Sequence, residues 1–369
     1  MTRPTQAEIN LNALRHNLKE LRRITDPIAI CATVKADAYG HSGFLVSKVF
    51  SEMGINYWGV HCLEEAIELR AGGIEGTIIL LGGAYANEIP EIKQYQLTPA
   101  IHSLENLNQF VSALKRTDSP LKVHIKLDTG MGRLGIREEN LPKFLETFAK
   151  QKVLKMGGVF GHLPLSENKE MTLNQGKVFD QCIDKIKALG FSPGLRHHTN
   201  SLASILYPEM RYDLIRPGLI LYGIYPGDPL KEKLTLKPVM TFTSKVISIR
   251  EIPKGVGLSY GHTYITSRDS RIATIPVGYA DGYPRLLSNQ AEVLIQGKRM
   301  PVVGRVCMDM TLIDVSDLPQ VQIGERVILF GEDQGQEINV CEIADKAKTL
   351  SYEILCGISP RVPRIPKEE

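Results

Sequence analysis

IAICATVKADAYG, residues 28–40, is the stretch that decides the fold. Its first seven residues form an apolar run that predicts a buried strand, and Lys35 follows that strand directly. A doubly wound nucleotide-binding sheet would carry the glycine fingerprint G-x-G-x-x-G after its first strand. This chain has KADAYG there instead. A different arrangement of alternating strands and helices is therefore expected.

The alternation of strands and helices continues for most of the chain. Further strands are predicted at residues 57–60, 77–81, 121–127 and 153–160, near Leu195, and at residues 212–215. About eight strand–helix units in roughly 220 residues are typical of an eight-stranded parallel β/α barrel. Beyond about residue 234, short strands separated by Gly, Pro and Asp turns replace the helices. We predict a barrel over residues 10–233 and a mostly β domain over residues 234–369.

Composition excludes several classes of protein. The 369 residues are 43% hydrophobic and 23% charged, which is typical of a globular protein with a sizeable core. Lys plus Arg (44) nearly balances Asp plus Glu (41), so a nucleic-acid partner is not expected. No apolar run approaches the roughly 18–20 residues of a membrane span. The six cysteines are scattered, without zinc-like spacing, so we expect a cytoplasmic protein with reduced thiols and no metal.

Reactive groups of a β/α barrel stand at the carboxyl ends of its strands. The sequence places Lys35, Lys126, His162, Ser201 and Arg216 at such ends. A lysine there can be an ordinary surface charge, or partial desolvation can favour the neutral amine that forms a Schiff base. Loops after strands seven and eight commonly hold a phosphate in this fold. The two features together would suit pyridoxal 5′-phosphate (PLP), although the residues alone leave both interpretations of the lysine open.

A series of motifs resembles those of alanine racemases, in the same order along the chain. VKADAYGH (residues 34–41) closely resembles the PLP-attachment motif of that family. The match continues through KLDTGMGR (126–133), HTNS (198–201), RPG (216–218), SYG (259–261), GYADG (278–282), GRVCMD (304–309) and SYE (351–353). The set spans nearly the whole chain and is highly specific. The resemblance implies the family's two-domain architecture, in which residues 1–9 also join the β domain.

The resemblance implies a racemase that acts from both faces of its substrate. Lys35 would hold PLP and serve one face, and Tyr260 would serve the other. His162 and Arg216 would form a hydrogen-bonded line toward Tyr260. Arg216 would also face the pyridine nitrogen of the cofactor, and because arginine keeps its proton, this would weaken the electron sink and suppress transamination. Arg133 would orient the phenolic oxygen of the cofactor and the substrate carboxylate.

The remaining implied roles divide into four groups. Further cofactor-binding positions are Tyr39, Asn200, Ser201, Gly218, Leu219 and Tyr352. The backbone N–H of Met308 would contact the substrate carboxylate. Lys126 matches a position that is often carbamylated in the family. The substrate access channel would be lined by Glu167, Tyr279, Arg285, Arg305 and Asp309, with Glu167 standing where the family more often has an aspartate. The implied working unit is a homodimer in which each active site takes Tyr260 and Met308 from the partner chain.

The expected activity is the interconversion of L-alanine and D-alanine, which supplies D-alanine for peptidoglycan. The alternatives are a racemase of the same fold that prefers serine or a larger amino acid, a related barrel decarboxylase, a non-catalytic PLP-binding protein and a structural protein that kept the fold. Arg216 disfavours the decarboxylase, because that chemistry prefers a strong electron sink. The joint presence of Lys35, Arg133 and Tyr260 favours an enzyme. The expected partner is a small amino acid, with no membrane and no nucleic acid.

Overall fold

The computed structural model describes residues 3–115, 117 and 119–368. The chain divides into two compact units. The barrel unit comprises Ala13–Ala38 and Gly43–Lys237, and the β unit comprises Met1–Asn12, Tyr39–Ser42 and Pro238–Glu369. The expected domain boundaries, 10–233 and 234–369 with residues 1–9 added to the second, stay a prediction. Within them, residues 1, 2, 116, 118 and 369 lie outside the described residues.

Eight parallel strands form a nearly closed barrel. After strand β1 (Gln6–Asn10) and helix α1 (Leu11–Thr25), the barrel strands are β2 (Ala29–Thr33), β3 (Tyr57–Val60), β4 (Thr77–Leu80), β5 (Thr98–Ile101), β6 (Leu121–Lys126), β7 (Leu154–Phe160), β8 (Leu195–His197) and β9 (Leu214–Ile215). Their order in space is β8-β7-β6-β5-β4-β3-β2-β9. Asp213 N donates to Arg196 O (3.1 Å) and Arg216 N donates to Thr199 O (3.1 Å), which connects the two outer strands. The predicted barrel is confirmed.

Helices follow the barrel strands and pack by their apolar faces. They are α2 (Lys35–Gly40), α3 (Gly43–Glu52), α4 (Leu63–Ala71), α5 (Ile89–Gln94), α6 (Leu104–Ala113), α7 (Leu141–Ala149), α8 (Lys169–Ala188) and α9 (Ser201–Leu206). Ser103 caps α6 by accepting a hydrogen bond from Asn106 N (3.0 Å). No helix in the described part of the chain is long and apolar enough to cross a membrane.

Strand β5 is the barrel strand that the sequence patterns miss. It contains Pro99, whose missing N–H normally argues against the interior of a sheet. All four of its residues are nevertheless buried, and Ala100 and Ile101 pair with His124 and Ile125 of β6. Burial of this short apolar segment therefore outweighs the lost hydrogen bond.

The turn that follows β2 is left-handed. In α2, the φ angles of residues 36–39 lie between +52° and +55°, and Gly40 has φ +78°. A left-handed conformation costs an L-residue roughly 1–2 kcal/mol, so four consecutive non-glycine residues cost about 4–8 kcal/mol relative to a right-handed turn. Such strain persists only where surrounding contacts hold it in place. The turn begins at Lys35, so the strain is stored beside the predicted cofactor-binding lysine.

The β unit consists mainly of strands. Besides β1 it contains β10 (Met240–Lys245), β11 (Ser248–Ile252), β12 (Gly257–Leu258), β13 (Tyr264–Ile265), β14 (Ser270–Ile275), β15 (Glu292–Ile295), β16 (Lys298–Pro301), β17 (Thr311–Asp314), β18 (Arg326–Asp333), β19 (Gln336–Ile338) and β20 (Arg364–Lys367), with helices α10 (Val340–Lys346) and α11 (Ser351–Cys356). The largest sheet runs β16-β15-β18-β10-β1-β20. Strand β1 pairs antiparallel with β10 and parallel with β20. The predicted mostly β C-terminal domain is confirmed.

Gly40 tests how tightly the left-handed turn is packed. A Cβ added at Gly40 would lie 2.2 Å from the carbonyl oxygen of Leu355, so the backbone would have to shift. We expect Gly40→Ala to lower the free energy of unfolding by more than about 3 kcal/mol, measured by urea denaturation. Gly335→Ala is the matched control, because Gly335 has a similar φ (+80°) and nothing within 4 Å of the added Cβ. The control should lose only about 1 kcal/mol. Equal losses would contradict the packing argument.

Candidate active site

Four cationic side chains gather at the carboxyl end of the barrel. Lys35 follows β2, Lys126 ends β6, Arg133 lies in the loop after β6, and Arg216 follows β9. Their proximity appears in the electrostatics of Lys126: burial lowers its pKa most, and Arg133, Arg216 and Lys35 lower it further, to about 8, whereas Asp128 raises it. We call these four residues the cation cluster. So much positive charge in one place favours an anionic ligand.

Lys126 is a lysine of this cluster whose pKa is lowered. Its side chain is buried, and its Nζ donates a hydrogen bond to Leu81 O (3.2 Å) and lies 5.5 Å from the centre of the Phe160 ring. With a pKa of about 8, a substantial fraction of the amine is neutral near physiological pH. A neutral amine is a nucleophile, so Lys126 is more reactive near neutral pH than an ordinary lysine.

The side chain of Arg216 is fixed by acceptors that surround it. Its Nη1 donates to His197 Nδ1 and to His197 O, both at 2.8 Å, and its Nη2 donates to Gly161 O at 2.5 Å. The guanidinium also lies 5.3 Å from the centre of the Phe160 ring. Burial lowers its pKa to about 10. Arg216 therefore stays a cation at neutral pH, held in one orientation.

Two buried histidines continue the contact made by Arg216. His197 Nε2 lies 2.8 Å from His124 Nδ1 inside the barrel. Burial lowers the pKa of His124 to about 3 and that of His197 well below its usual value, so both rings are neutral. Because arginine only donates, His197 must accept at Nδ1 and carry its proton on Nε2. His197 then donates to His124, whose own proton lies on Nε2. The chain Arg216–His197–His124 thus has one direction of donation.

His162 lies beside the same cations. Its pKa is lowered to about 3, first by burial and then by Arg216, Arg133, Lys35 and Lys126. The imidazole is consequently neutral near pH 7. The predicted hydrogen-bonded line from Arg216 through His162 toward Tyr260 stays a prediction. The described side-chain contact of Arg216 is with His197.

The loops after β8 and β9 meet at Ser201. Its Oγ accepts a hydrogen bond from Gly218 N (2.8 Å), and Leu219 follows in a buried turn. Asn200 caps α9 through Ala203 N (3.0 Å), and its amide also donates to Leu163 O (3.2 Å). Ser201, Gly218 and Leu219 therefore lie together, whereas the amide of Asn200 holds the loop after β7.

Arg133 is carried by a loop that Asp128 organises. Oδ1 of Asp128 accepts hydrogen bonds from Gly130 N (3.1 Å) and Gly132 N (3.0 Å). Arg133 itself is exposed. Glu167, assigned to the access channel, is exposed as well and lies in the loop between β7 and α8. The predicted role of Glu167 in the access channel stays a prediction.

In the β unit, Tyr260 sits on a strained turn. The preceding Ser259 has φ +58°, and its Oγ donates to Arg305 O (2.6 Å). Gly261 follows with φ +70°. The side chain of Tyr260 is 71% exposed. The turn therefore presents the phenol outward, and Ser259 ties it to the segment that carries Arg305.

A second segment of the β unit carries Tyr279 and Met308. Tyr279 N donates to Cys307 O (3.1 Å) and Ala280 N donates to Met308 O (3.0 Å), which joins the two stretches side by side. Asp309, next to Met308, accepts a hydrogen bond from Arg361 Nη2 (2.5 Å). The predicted positions 279, 308 and 309 are thus brought together.

Arg361 connects this segment to a buried carboxylate. Its Nε donates to Asp281 Oδ1 (2.7 Å), and Arg3 donates to both oxygens of Asp281. Burial would raise the pKa of Asp281, but the hydrogen bonds from Arg3 and Arg361 outweigh it and the pKa is lowered. Asp281 therefore remains a buried anion that anchors the segment carrying Tyr279.

The remaining predicted residues of the β unit are Tyr39, Tyr352 and Arg285. The rings of Tyr39 and Tyr352 lie 5.8 Å apart. Burial, with smaller contributions from Tyr352 and Cys356, raises the pKa of Tyr39, so its hydroxyl stays protonated and able to donate. Arg285 is exposed in a short helical turn over residues 285–287.

Positive charge concentrated at the carboxyl end of a parallel barrel defines the class of this protein. Enzymes of this fold carry out their chemistry at that end, and the cation cluster, with Ser201 and Gly218 nearby, favours an anionic ligand. Within the described residues no group of three or more His, Cys, Asp or Glu side chains could hold a metal ion. The site is that of a β/α-barrel enzyme built around a lysine.

Comparison with known proteins identifies the family. The model of the alanine racemase N-terminal domain matches residues 9–226, and that of the alanine racemase C-terminal domain matches residues 239–366. An alanine racemase of Halothermothrix orenii is 40% identical over 367 residues, which cover 99% of this chain and 97% of the relative. The chain belongs to the alanine racemase family, and the resemblance seen in its motifs is confirmed.

Solved structures agree with this assignment. The alanine racemase of Bacillus anthracis with bound L-Ala-P has a TM-score of 0.94 and 33% identity, covering 100% of this chain and 96% of that chain. The alanine racemase of Bartonella henselae with covalently bound pyridoxal phosphate has a TM-score of 0.87 and 27% identity, covering 99% of both chains. The fold of the whole chain is therefore shared with these enzymes.

The buried neutral histidines predict how stability depends on pH. The pKa of His198 is lowered to about 3, first by burial and then by Arg216 and His162, from an ordinary value of 6.5. Between pH 6.5 and 3 the unfolded chain binds a proton at this position and the folded chain does not, so stability falls as the pH falls. At pH 5 the loss is about 2 kcal/mol for this one histidine.

The variant His198→Gln tests this linkage. Urea denaturation at pH 7 and pH 5 should show that the variant loses about 2 kcal/mol less than the unmodified protein over this interval. His61→Gln, at an exposed position of the same unit, controls for removing an imidazole and should lose as much as the unmodified protein. Identical pH dependence of all three proteins would show that His198 is not held neutral by burial.

Proposed function

We propose that this chain is a PLP-dependent alanine racemase that interconverts L-alanine and D-alanine and supplies D-alanine for peptidoglycan. The observation that carries the proposal is the cation cluster at the carboxyl end of the barrel, in a member of the alanine racemase family. A phosphate group and a substrate carboxylate would both offset its charge. The family members with bound L-Ala-P and covalently bound pyridoxal phosphate support the same ligand classes.

The residues present fit this cofactor. Lys35 offers an amine at a strand end, and Ser201, Gly218 and Leu219 offer hydroxyl and N–H groups in the loops where this fold commonly holds a phosphate. The hydroxyls of Tyr39 and Tyr352 complete the set of proposed phosphate donors. When bound, PLP weakens the Cα–H bond of an amino acid by withdrawing electrons from it.

Arg216 is proposed to bind the ring nitrogen of the cofactor. Its guanidinium is held by His197 and by Gly161 O, and it keeps its proton at neutral pH. Because it can only donate, it would leave the ring nitrogen unprotonated. Charge on the substrate carbon would therefore spread less into the ring, which favours return of the proton over transamination.

Two groups are proposed to move the α-proton. Lys35 Nζ would take or return the proton on one face of the substrate, and the Tyr260 hydroxyl would do so on the other. The phenol of Tyr260 would act there as a general acid or base. Arg133 would orient the substrate carboxylate, the Met308 N–H would bind it, and His162 would contribute a neutral imidazole beside Arg216. Asn200 is proposed to hold the cofactor-binding loops in place.

We further propose that the working unit is a cytoplasmic homodimer with shared active sites. Tyr260 and Met308 are 71% and 54% exposed in the single chain, which leaves both accessible to a second copy. Access for substrate would pass Glu167, Tyr279, Arg285, Arg305 and Asp309. Reduced thiols are expected in the cytoplasm, and the described cysteines form no disulfide.

The activity is tested by chiral chromatography after incubating the purified protein and PLP with a panel of L-amino acids. We expect fast formation of D-alanine, with serine and larger amino acids far slower. Lys35→Ala should abolish turnover, whereas Lys48→Ala, at an exposed position of α3, should leave it unchanged. Dominant turnover of serine would assign the chain to a different substrate. PLP binding without turnover of any amino acid would indicate a non-catalytic carrier.

Shared active sites predict that two inactive variants restore each other. In a mixed dimer of Lys35→Ala and Tyr260→Phe chains, one site has both defects and the other has neither. Random reassortment makes half of the dimers mixed, so the exchanged mixture should recover about a quarter of the unmodified activity. Each variant alone, treated identically, is the control. No activity above that of the separate variants would show that Lys35 and Tyr260 do not meet across a dimer.

Carbamylation of Lys126 is proposed from its chemistry. Its neutral amine would add to carbon dioxide and release a proton, which leaves a negatively charged carbamate beside Arg133. With ¹³C-bicarbonate, we expect a carbamate signal in the carbon NMR spectrum of the unmodified protein and none in Lys126→Arg. Racemisation by that variant should fall about tenfold, since one oriented ion pair is lost. A spectrum without the carbamate signal in the unmodified protein would rule the modification out.

A further inference from the structure

We propose that Glu65 is a positioning residue that holds the backbone at Lys35 in its working conformation. This inference rests on the proposed function, because it concerns how the lysine of the same site is placed. Glu65 lies in the first turn of α4, on the element that follows β3. Neither its position in the sequence nor the family motifs quoted above single it out.

The carboxylate of Glu65 receives two backbone hydrogen bonds from two different loops. Ala36 N donates to Oε1 at 2.6 Å, and His61 N donates to Oε2 at 2.6 Å. Ala36 is the residue directly after Lys35, and His61 follows β3 directly. Strands β2 and β3 are parallel neighbours in the barrel, so one side chain links the ends of both.

The other side of Lys35 is held by the barrel itself. Thr33 N donates to Pro217 O (3.0 Å), Thr33 O accepts from the hydroxyl of Tyr222 (2.8 Å), and Val34 N donates to Gly59 O (3.0 Å). Regular strand contacts therefore end just before Lys35. Ala38 N donates to Val34 O (2.8 Å), which closes the turn around the lysine, and Ala36 N donates to Glu65. The Glu65 carboxylate is thus a side-chain contact that fixes the exit of the chain from the lysine.

The left-handed turn explains why such a fixed point is needed. Residues 36–39 adopt φ angles that L-residues avoid, and the turn would relax if its ends were released. Asp37, which lies inside the turn, links it to the start of α3, because its Oδ1 accepts from Gly43 N (2.6 Å). Glu65 holds the near end of the turn. Relaxation at that end would rotate the peptide that joins Lys35 to Ala36.

A carboxylate suits this position better than an amide. Both partners are N–H donors, so the side chain needs two acceptor atoms. Glutamine has the same shape but offers one oxygen and one NH₂ group, which would face a backbone N–H with another donor. Hydrogen bonds to a charged acceptor are also stronger than those to a neutral one. Glu65→Gln should therefore break one of the two contacts with almost no change in volume.

The experiment compares Glu65→Gln with Glu68→Gln in the PLP-loaded enzyme. Glu68 lies one turn later in α4 and its side chain is exposed, so it controls for charge removal from the same helix. A small misplacement of a reacting group costs of the order of tenfold to a hundredfold in rate. For Glu65→Gln we expect kcat per bound cofactor to fall by about tenfold or more, with KM within about threefold. Glu68→Gln should match the unmodified enzyme.

A spectroscopic readout separates positioning from general loss of structure. In Glu65→Gln, the pH midpoint of the visible absorbance of lysine-bound PLP should shift, and hydroxylamine should release the cofactor faster than in Glu68→Gln. A merely structural role would lower the thermal stability and the loaded fraction but leave kcat per bound cofactor and the pH midpoint unchanged. An unchanged kcat per bound cofactor together with an unchanged pH midpoint would overturn the proposal.

A measurement on the unmodified protein keeps the proposal testable if Glu65→Gln does not fold. Ala36 is exposed, so protection of its amide would come from the hydrogen bond that it donates to Glu65. We expect this amide to exchange at least about a hundredfold more slowly than an unprotected amide. Exchange at the unprotected rate would overturn the inference. A protein that protects this amide but racemises no amino acid would instead contradict the proposed function and leave the contact intact.

Discussion

A buried cation held by neutral acceptors is the constraint on which the barrel end depends. Arg216 is almost fully buried, and its described hydrogen bonds go to a neutral imidazole and to backbone carbonyl oxygens. Burying a charge is costly unless hydrogen bonds replace water. His197 and Gly161 accept the hydrogen bonds of this guanidinium, and they lie at the ends of two adjacent strands. Burial keeps the neighbouring histidines neutral, and the charge of this guanidinium lowers their pKa values further.

The strand pattern was largely predictable, and its exception has a physical cause. Apolar runs such as residues 57–60 and 153–160 predict strands because both faces of a parallel barrel strand are buried. The segment at β5 is not predicted as a strand, because Pro99 lacks the N–H that a strand interior normally requires. The left-handed turn is not predicted from the sequence either, since Ala36 and Ala38 are residues that ordinarily favour right-handed helices. The left-handed conformation depends on tertiary contacts.

Site residues that belong to a sequence motif were predictable. Residues that only the folded structure brings together were not. Lys35 and Arg216 were predictable because they are charged residues at strand ends and belong to motifs that resemble those of alanine racemases. No spacing in the sequence links His124 to His197, and the contact between their rings becomes visible only in the structure, where both side chains are buried. Glu65 belongs to an ordinary amphipathic helix by sequence. The alternation of inward residues His124 and Lys126 on β6 is the one sequence signal that could have pointed to an inward histidine.

The cation cluster has a further consequence for how quickly ligands arrive. The whole chain carries a net charge of only +3, so the molecule as a whole attracts anions weakly. Charge gathered at one barrel mouth focuses the field there and raises the capture rate of anions above that of neutral molecules of the same size. Salt screens such fields over about 10 Å at 0.1 M ionic strength. Association of an anionic cofactor should therefore slow as salt is added, even where the final affinity is set by short-range contacts.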